Sequence, residues 1–194
     1  MKKVNYFLML VINLLAFSSV TAQKDSSGIY KTSDDYTHKK LSYAINYKTE
    51  KHRISDNLLF NSAEIKVKHH GEKYTLQKSE IYGYKSTKGE TFRFVDNKEY
   101  TILNPGQTLV IYVYKHLSHS AKEAEKYAPL YYFSKDASSA PQSLTKVNLE
   151  AAFPNNQTFH ESLEAQFKSD GDLYAYDNFH KMYKLNWIMK NNMN

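Results

Sequence analysis

The stretch TLVIYVY, residues 108–114, decides the fold of this chain. Apart from the apolar N-terminal segment, it is the longest run of β-branched, aromatic and apolar side chains, and no polar residue interrupts it after Thr108. Successive side chains of a strand point to opposite faces, so a strand that is apolar at every position is buried from both sides. We therefore expect a central strand in a mostly antiparallel sheet, with further structure packed over it.

Three hairpins are predicted on the N-terminal side of this stretch. Their paired segments are 63–68 with 74–76, 81–84 with 91–95, and 100–103 with the stretch itself. The last hairpin turns through Asn-Pro-Gly-Gln at 104–107, where Pro at the second and Gly at the third position suit a type II turn. With further strands at 41–47 and 130–133, the pattern predicts an antiparallel β-meander sheet of about six to eight strands.

Beyond Pro141 the apolar spacing changes from two residues to about 3.6, which predicts helices. The expected helices are 144–152, capped by Ser143 and stopped before Pro154, then 159–167, and a third that carries an aromatic stripe between 173 and 187. Strands first and helices last indicate an α+β fold. We expect the C-terminal layer of about three helices to cover one face of the sheet.

The first 22 residues have the organisation of a secretory signal peptide. Lys2 and Lys3 precede an apolar segment at 6–17, and small residues precede the expected cleavage point. The apolar run is shorter than the roughly 20 residues that span a bilayer, so we expect removal rather than a retained anchor. The chain is therefore interpreted as a signal peptide, 1–22, followed by a single exported α+β domain, 23–194.

Composition narrows the compartment and the classes of partner. The chain has no cysteine, so it lacks the residue that carries a lipoprotein anchor, and we expect a soluble protein of the periplasm or the medium. No stable membrane insertion is expected after signal cleavage. The formal net charge is +6, or +4 without Lys2 and Lys3, and the excess is spread along the chain. Without a dense basic patch, nucleic acid is not an expected partner.

Tyrosine is unusually frequent, with 17 residues, most of them in the predicted strands. An aromatic ring packs on a sheet while its hydroxyl reaches water or a partner. These tyrosines either replace phenylalanine on a half-exposed sheet or form an aromatic surface for an unknown protein, peptide or saccharide partner. The candidate ligand-binding residues near the central strand are Tyr82, Tyr84, Tyr112 and Tyr114.

Several segments together resemble a group of uncharacterised secreted proteins of Bacteroidetes. They are GIY at 28–30, LSYAI at 41–45, IYGY at 81–84, FRF at 92–94, YTILNPG at 100–106, YFSKD at 132–136 and FHKMYKLN at 179–186. The similarity runs over nearly the whole mature chain. It implies an exported protein with a single-domain layout, and it transfers no catalytic residue.

Familiar active-site patterns are absent from the sequence. There is no Gly-x-Ser-x-Gly, no His-Glu-x-x-His, no phosphate-binding Gly-rich loop and no cysteine nucleophile. His116 and His119 could share one metal ion if their segment turns helically, but the favoured interpretation is a solvated connector, because no second cluster completes the ligand set. No cofactor is predicted.

Two His–carboxylate pairs remain as weak catalytic candidates. His160 and Glu164 lie four residues apart on the second predicted helix, a spacing that places both on one face. Asp177 and His180 lie three apart on the third predicted helix, and His180 is expected to be buried in its aromatic stripe. Such pairs are more often surface contacts or satisfied core residues than catalytic groups.

The leading hypothesis is an exported, non-enzymatic binding or interaction domain that uses a Tyr-rich sheet surface, without a deep polar pocket. The alternative is a periplasmic hydrolase or metal-dependent enzyme that uses His180, His160 or the pair His116 and His119. That alternative requires at least three titratable groups in one cleft.

Overall fold

The structure is a computed structural model that describes residues 26–46, 48, 53–56, 62–115 and 128–192. The strands are, in chain order, β1 (Ser26–Tyr30), β2 (Ser42–Asn46), β3 (Arg53–Asp56), β4 (Glu64–His69), β5 (Glu72–Gln77), β6 (Gly83–Lys85), β7 (Thr91–Val95), β8 (Lys98–Ile102), β9 (Val110–Tyr114), β10 (Leu130–Ser134), β11 (Gln142–Ser143), β12 (Tyr176–Asp177) and β13 (Met182–Tyr183). The helices are α1 (Ser33–Thr37), α2 (Lys146–Ala152), α3 (Gln157–Gln166) and α4 (Lys184–Asn192). The predicted signal peptide lies outside the described residues.

An eight-stranded antiparallel sheet forms the centre of the fold, in the order β11-β10-β9-β8-β7-β6-β1-β2. From β6 to β11 each strand pairs with the next one in the chain, which is the predicted meander, and β1 and β2 extend the sheet beyond β6. With helices late in the chain, the α+β prediction is confirmed. The first predicted hairpin also forms, but β4 and β5 belong with β3 to a separate three-stranded sheet.

Strand β9 is buried on both faces, as its sequence predicts. The side chain of Ile111 belongs to one core cluster and that of Tyr112 to another, and neither has any exposed surface. The first cluster lies under the helices and includes Phe133 of β10, Leu149 of α2 and Leu163 of α3. The apolar stretch therefore stabilises two layers at once, because each face of the strand supports a different part of the molecule.

The two faces of the eight-stranded sheet are covered differently. On the face that carries Ile111, the helices pack on the β9–β10 end, and the three-stranded sheet packs on the other end through Ile65 and Val67 against Ile29. The opposite face carries tyrosines, which pack with one another and with Ile102 and Val110; they are Tyr30, Tyr36, Tyr82, Tyr100 and Tyr112. We call this opposite side the tyrosine face.

Turn residues with left-handed backbone define the hairpins. Gly106 has a φ of 86°, and the Gln107 amide donates to the Asn104 carbonyl at 3.2 Å, so the predicted turn before β9 is confirmed. Asp96 and Asn97, with φ values of 50° and 63°, connect β7 to β8 in a two-residue turn. Positive φ at both central residues matches the right-handed twist of paired strands.

The C-terminal region confirms two predicted helices and corrects the third. The α2 helix is capped by Thr145, whose Oγ1 accepts from the Asn148 amide at 3.2 Å, rather than by Ser143. The predicted aromatic helix from 173 to 187 is wrong over residues 173–183, because β12 and β13 form a small hairpin and α4 begins only at Lys184. Among the described residues, no helix combines the length and apolar character needed to cross a membrane.

The reason for that correction is local. The Asp177 carboxylate accepts hydrogen bonds from the backbone amides of Phe179 and His180, at 2.8 and 3.1 Å, which closes a turn. Lys181 then has a φ of 56°, which a right-handed helix cannot accommodate. Aspartate stabilises such turns through its short acceptor side chain. The regular spacing of aromatic residues was therefore produced by a hairpin and not by a helical face.

Candidate functional site

A cleft of about 690 Å³ opens on the tyrosine face. Its walls come from four separate segments of the chain: residues 30–41, from the end of β1 through α1 and its following turn, the β6–β7 hairpin, the turn before β9, and the loop after β10. Small-molecule sites have volumes of roughly 300–1,000 Å³ and mix apolar walls with a few polar groups. The cleft has this size and this type of lining. The sequence did not predict it.

The α1 wall is positioned by a capping box. Thr32 Oγ1 accepts from the Asp35 amide at 3.0 Å, and Asp35 Oδ2 accepts from the Thr32 amide at 3.2 Å. This arrangement satisfies amide groups that a helix start otherwise leaves unpaired. The short helix then directs Tyr36 inward, where its ring stacks on Tyr82 with centroids 5.0 Å apart and meets the edge of Tyr30 at 5.6 Å.

Tyr36 also joins α1 to the opposite wall. Its hydroxyl accepts a hydrogen bond from the Gly106 amide at 3.4 Å, across the cleft to the turn before β9. Burial raises the pKa of Tyr36, and burial with the adjacent Tyr36 raises the pKa of Tyr30 to about 12. Both phenols line the cleft, so they present neutral hydroxyl groups at physiological pH.

Behind the cleft lies Arg93, which is only 7% exposed. Its Nη1 donates to the Tyr112 hydroxyl at 2.8 Å and to the Ser139 carbonyl at 2.9 Å. The guanidinium also lies over the rings of Tyr82 and Tyr112, at 4.9 and 5.7 Å from their centroids. Neutral oxygen acceptors and aromatic faces thus solvate a buried charge. These contacts fix the loop after β10 against the tyrosine face.

A directed chain of hydrogen bonds continues from Arg93 into that loop. The Ser134 hydroxyl donates to the Asp136 carbonyl at 2.6 Å, so it accepts from the Tyr112 hydroxyl, 2.9 Å away, whose oxygen accepts from Arg93. The hydroxyls of Tyr112 and Ser134 therefore each accept one hydrogen bond and donate one. The position of Asp136 at the cleft is therefore set by the core of the sheet.

The Asp136 carboxylate is occupied within its own loop. Oδ1 accepts from the Ser138 amide, the Ser138 hydroxyl and the Ser139 amide at 2.7–2.8 Å, and Oδ2 accepts from the Ser139 hydroxyl at 2.9 Å. These hydrogen bonds, with the one from the Ser138 side chain contributing most and those from Ser139 next, lower the pKa of Asp136 to about 2. A carboxylate that accepts so many hydrogen bonds is a weak base, which makes it a structural anion rather than a proton acceptor.

The turn before β9 is held from below by two buried asparagines. Asn104 Nδ2 donates to the Leu109 carbonyl at 2.8 Å and to Asn186 Oδ1 at 2.7 Å, and its Oδ1 accepts from the Ile111 amide at 2.7 Å. Asn186, on α4, donates a second bond to the Leu109 carbonyl at 2.8 Å. The helical layer therefore fixes one wall of a cleft on the other side of the sheet.

The four tyrosines selected from the sequence do not line this cleft. Tyr82, Tyr84 and Tyr112 are buried, and Tyr114 is half-buried with its ring 5.5 Å from that of Tyr100. The Tyr84 hydroxyl donates to Glu99. Their rings offer little surface for stacking. Tyr84 packs on the other face, in the cluster with the three-stranded sheet, and the tyrosine face is covered by α1 and by the loop after β10. The tyrosines that line the cleft are Tyr30 and Tyr36.

Sequence reasoning missed both, although a signal for Tyr36 was present. The capping pattern Thr-x-x-Asp at 32–35 directly precedes it. No local pattern indicates that Tyr30 and Gly106, far apart in the chain, approach the same space.

The pair His160 and Glu164 does not form. His160 Nε2 makes a hydrogen bond with the Phe153 carbonyl at 2.9 Å, while Glu164 binds the Lys146 ammonium at 2.9 Å. Both residues lie on α3 as predicted, but each is drawn to a different neighbour. This pair therefore lacks the contact that would orient an imidazole for base catalysis.

The pair Asp177 and His180 does form, with Nδ1 and Oδ2 2.7 Å apart. It lies on the β12–β13 hairpin, where His180 is exposed and packs on Trp187 at 4.7 Å, so its predicted burial in a helical stripe is wrong. The hydrogen bond from His180 lowers the pKa of Asp177. Neither residue lines the cleft.

Metal-binding candidates gain no support from the described residues. His116 and His119 lie outside them, so that prediction is untested. Within the described ranges, no three His, Asp or Glu side chains are arranged to hold a metal ion. The adjacent histidines of the β4–β5 turn, His69 and His70, have ring centroids 4.0 Å apart, and His70 has a φ of 48°.

A second aromatic surface lies on and beside the small hairpin. Phe179 lies at the tip of this hairpin and is 87% exposed, and Tyr176 is also exposed. Tyr174 stacks flat on Tyr131, with centroids 3.7 Å apart and planes at 4°. Tyr174, Tyr176 and Phe179, unlike the four tyrosines selected from the sequence, are exposed aromatic groups.

The chain has no significant match among protein-family models, curated proteins or solved structures. Its resemblance to secreted proteins of Bacteroidetes therefore stays a prediction, and the functional interpretation depends on the geometry of the cleft.

Proposed function

We propose that this protein is an exported, non-enzymatic binding domain whose ligand site is the cleft on the tyrosine face. The observation that carries the proposal is a cleft of about 690 Å³, three of whose four wall segments are held by hydrogen bonds of the buried side chains of Tyr36, Arg93 and Asn104. The signal-peptide pattern of residues 1–22 supports export.

Pre-organisation of the walls favours a binding role. Tyr36 spans to Gly106, Arg93 holds the Ser138–Ser139 backbone, and Asn104 ties the turn before β9 to α4. A site that is already formed spends little binding free energy on ordering its own side chains and loops. Rigid walls of this kind suit a small ligand better than a flexible, adaptable surface does.

The groups at the cleft favour binding over catalysis. The residues that line it, within the described part of the chain, include no histidine, and their one carboxylate, Asp136, is held by four hydrogen bonds. General acid–base chemistry needs a group that exchanges protons near neutral pH. Asp136 and the two buried phenols of Tyr30 and Tyr36 have pKa values displaced away from that range.

The test is a fragment screen on the ¹⁵N-labelled mature domain, read by NMR. We expect bound fragments to shift the backbone amides of Gly89, Gly106 and Gln107, which line the cleft. Thr37→Trp places a bulky ring on an exposed position of the cleft wall and should abolish those shifts. The matched control is Val147→Trp, at a position 73% exposed on α2, which should leave them unchanged.

Two outcomes would remove the proposal. One is that no fragment shifts the cleft amides. The other is that Thr37→Trp and Val147→Trp bind the same fragments with the same affinity, which would place binding elsewhere. Thermal unfolding of both variants shows whether the domain remains folded.

A further inference from the structure

We propose that the cleft on the tyrosine face binds an uncharged ligand of the saccharide class, and that the hydroxyls of Tyr30, Tyr36 and Thr91 bind it. The inference rests on the proposed function, because it names the ligand class of the same site. Hydroxyl-bearing residues are the largest group in the lining of the cleft. They come from three of its four wall segments and are Tyr30, Tyr36, Thr37, Thr91 and Thr108.

Two of these residues carry a hydroxyl that has no partner in the protein. Tyr30 and Thr91 are only 5% and 4% exposed. Within the described part of the chain their hydroxyls make no hydrogen bond, and neither oxygen is fully enclosed. Buried polar side-chain atoms are normally paired, so two such groups in one lining are unusual. Because both residues line the cleft, a ligand there can supply the missing partners.

The hydroxyl of Tyr36 lies where two walls of the cleft meet. It accepts a hydrogen bond from the Gly106 amide at 3.4 Å, and the two residues belong to different walls. A phenol that accepts in this way still has its own proton to donate. Burial raises the pKa of Tyr36, so the proton is retained at physiological pH. Tyr36 therefore offers a donor between the walls.

The three hydroxyls are carried by three different elements. Tyr36 comes from α1, and its ring lies 5.6 Å from that of Tyr30 at the end of β1. Tyr30 and Thr91 lie on the two strands that flank β6, opposite Gly83 and Lys85 respectively. From the spacing of strands and of residues along them, the backbones of Tyr30 and Thr91 are roughly 12 Å apart. A ligand with several hydrogen-bonding groups suits such a distributed set better than a ligand with one.

The chemistry of the hydroxyl group favours a saccharide. Tyr30 and Thr91 can each donate one hydrogen bond and also accept, whereas carbonyl and carboxylate oxygens only accept. Sugar hydroxyls both donate and accept, so they can pair with both functions of these side chains. Sugars also present apolar C–H surfaces, and the cleft offers Leu41, Pro105 and Ala137 for contact with them.

The charged residues of the lining do not favour a charged ligand. The Asp136 carboxylate accepts four hydrogen bonds within its own loop. Lys39 and Lys85 each take part in an interaction with another part of the protein. The groups without a protein partner, the hydroxyls of Tyr30 and Thr91, are neutral. An uncharged ligand therefore matches the groups that the fold leaves unpaired.

The first test compares ligands by the same NMR readout. The probes are the methyl glycosides of glucose, galactose and mannose, with cyclohexanol as a six-membered ring that has one hydroxyl. We expect at least one glycoside to shift the amides of Gly89, Gly106 and Gln107 and to bind at least tenfold more tightly than cyclohexanol. Glucosamine, glucuronic acid and N-methylacetamide serve as cationic, anionic and amide comparisons.

The second test removes single hydroxyls. Tyr30→Phe and Thr91→Val should each weaken glycoside binding about two- to tenfold, the effect of one hydrogen bond. Neither change should lower the Tm, because neither hydroxyl bonds to the protein. Tyr36→Phe should weaken binding similarly. The matched controls are Tyr74→Phe and Thr75→Val on β5, which do not line the cleft and should leave glycoside binding unchanged.

The outcomes separate the inference from the proposed function. Glycoside binding that falls in Tyr30→Phe and Thr91→Val, with the Tm retained, supports the inference. It is overturned if cyclohexanol binds as tightly as the glycosides, if either charged sugar binds more than tenfold more tightly, or if only N-methylacetamide reaches the cleft. The proposed function stands in each of those cases. A lower Tm in both variants, or equal weakening in the controls, also overturns the inference. Absence of every probe and fragment from the cleft overturns both proposals.

Discussion

Asn104→Ala should destabilise the protein strongly, although asparagine is a small polar residue in a turn. The substitution removes three hydrogen bonds and leaves the Ile111 amide and Asn186 Oδ1 without these partners, while the Leu109 carbonyl keeps its bond from Asn186. Each buried polar group left unpaired costs roughly 1–3 kcal/mol, so the expected loss in the free energy of unfolding is about 2–6 kcal/mol. In a domain of this size that corresponds to a fall in Tm of about 5–20 °C.

Urea unfolding followed by circular dichroism measures this loss, with Asn191→Ala as the matched control. Asn191 lies exposed near the end of α4, so its replacement should change the free energy of unfolding by less than about 0.5 kcal/mol. The double variant Asn104→Ala with Asn186→Ala should lose less free energy of unfolding than the sum of the losses in the two single variants. Each single change leaves an unpaired polar group on the other asparagine, and the double variant removes both side chains. Additive losses, or an Asn104→Ala protein as stable as the control, would refute the account of this wall.

Other consequences follow from particular side chains. Ile111→Asp should abolish folding, because it buries an unpaired charge. Val147→Asp, on the exposed side of α2, should leave the protein folded. Circular dichroism of the two proteins shows whether each one is folded. The folded-state pKa of Asp136 lies at about 2, below the ordinary 3.8, so its stabilisation is complete above about pH 4 and is lost as the pH falls from there toward 2. In urea titrations, Asp136→Asn should therefore lose less stability over that interval than the wild type. Phe179→Ala should leave the free energy of unfolding within about 0.5 kcal/mol of the wild type, because the ring is 87% exposed.

Features that depend on neighbours in the chain could be predicted from the sequence. The run at 108–114 became β9 because its side chains are apolar on both faces, and the turn before it formed because Gly106 accepts a positive φ. The α2 and α3 helices were likewise visible in their apolar spacing. The order of the strands in the sheet was not predicted, because β9 and β10 pair although 15 residues separate Tyr114 from Leu130.

Features that depend on distant residues could not be predicted. Arg93 contacts the Ser139 carbonyl 46 residues away, and Asn104 contacts Asn186 across 82 residues, and no local pattern encodes either contact. The separate three-stranded sheet has the same alternating pattern as the meander, so its hairpin cannot be told apart by period alone. The cleft exists only where four such segments meet.

The predicted site residues also show the difference between local contacts, which the sequence predicts, and contacts with distant residues, which it does not. Asp177 and His180 are three residues apart, and their hydrogen bond formed even though the predicted helix did not, because a turn also brings that spacing together. His160 and Glu164 lie on the predicted helix, yet Phe153 and Lys146 supply better-placed partners. Local spacing thus determines which side chains can meet, and tertiary contacts determine which of them do.

We propose the cleft on the tyrosine face as the ligand site. A crystallographic fragment soak of the mature domain tests it most directly, because it reports every surface that binds without assuming one. We expect bound fragments to cluster between Tyr36 and Gly106. Fragments confined to other surfaces, such as the hairpin that carries Phe179, would contradict it.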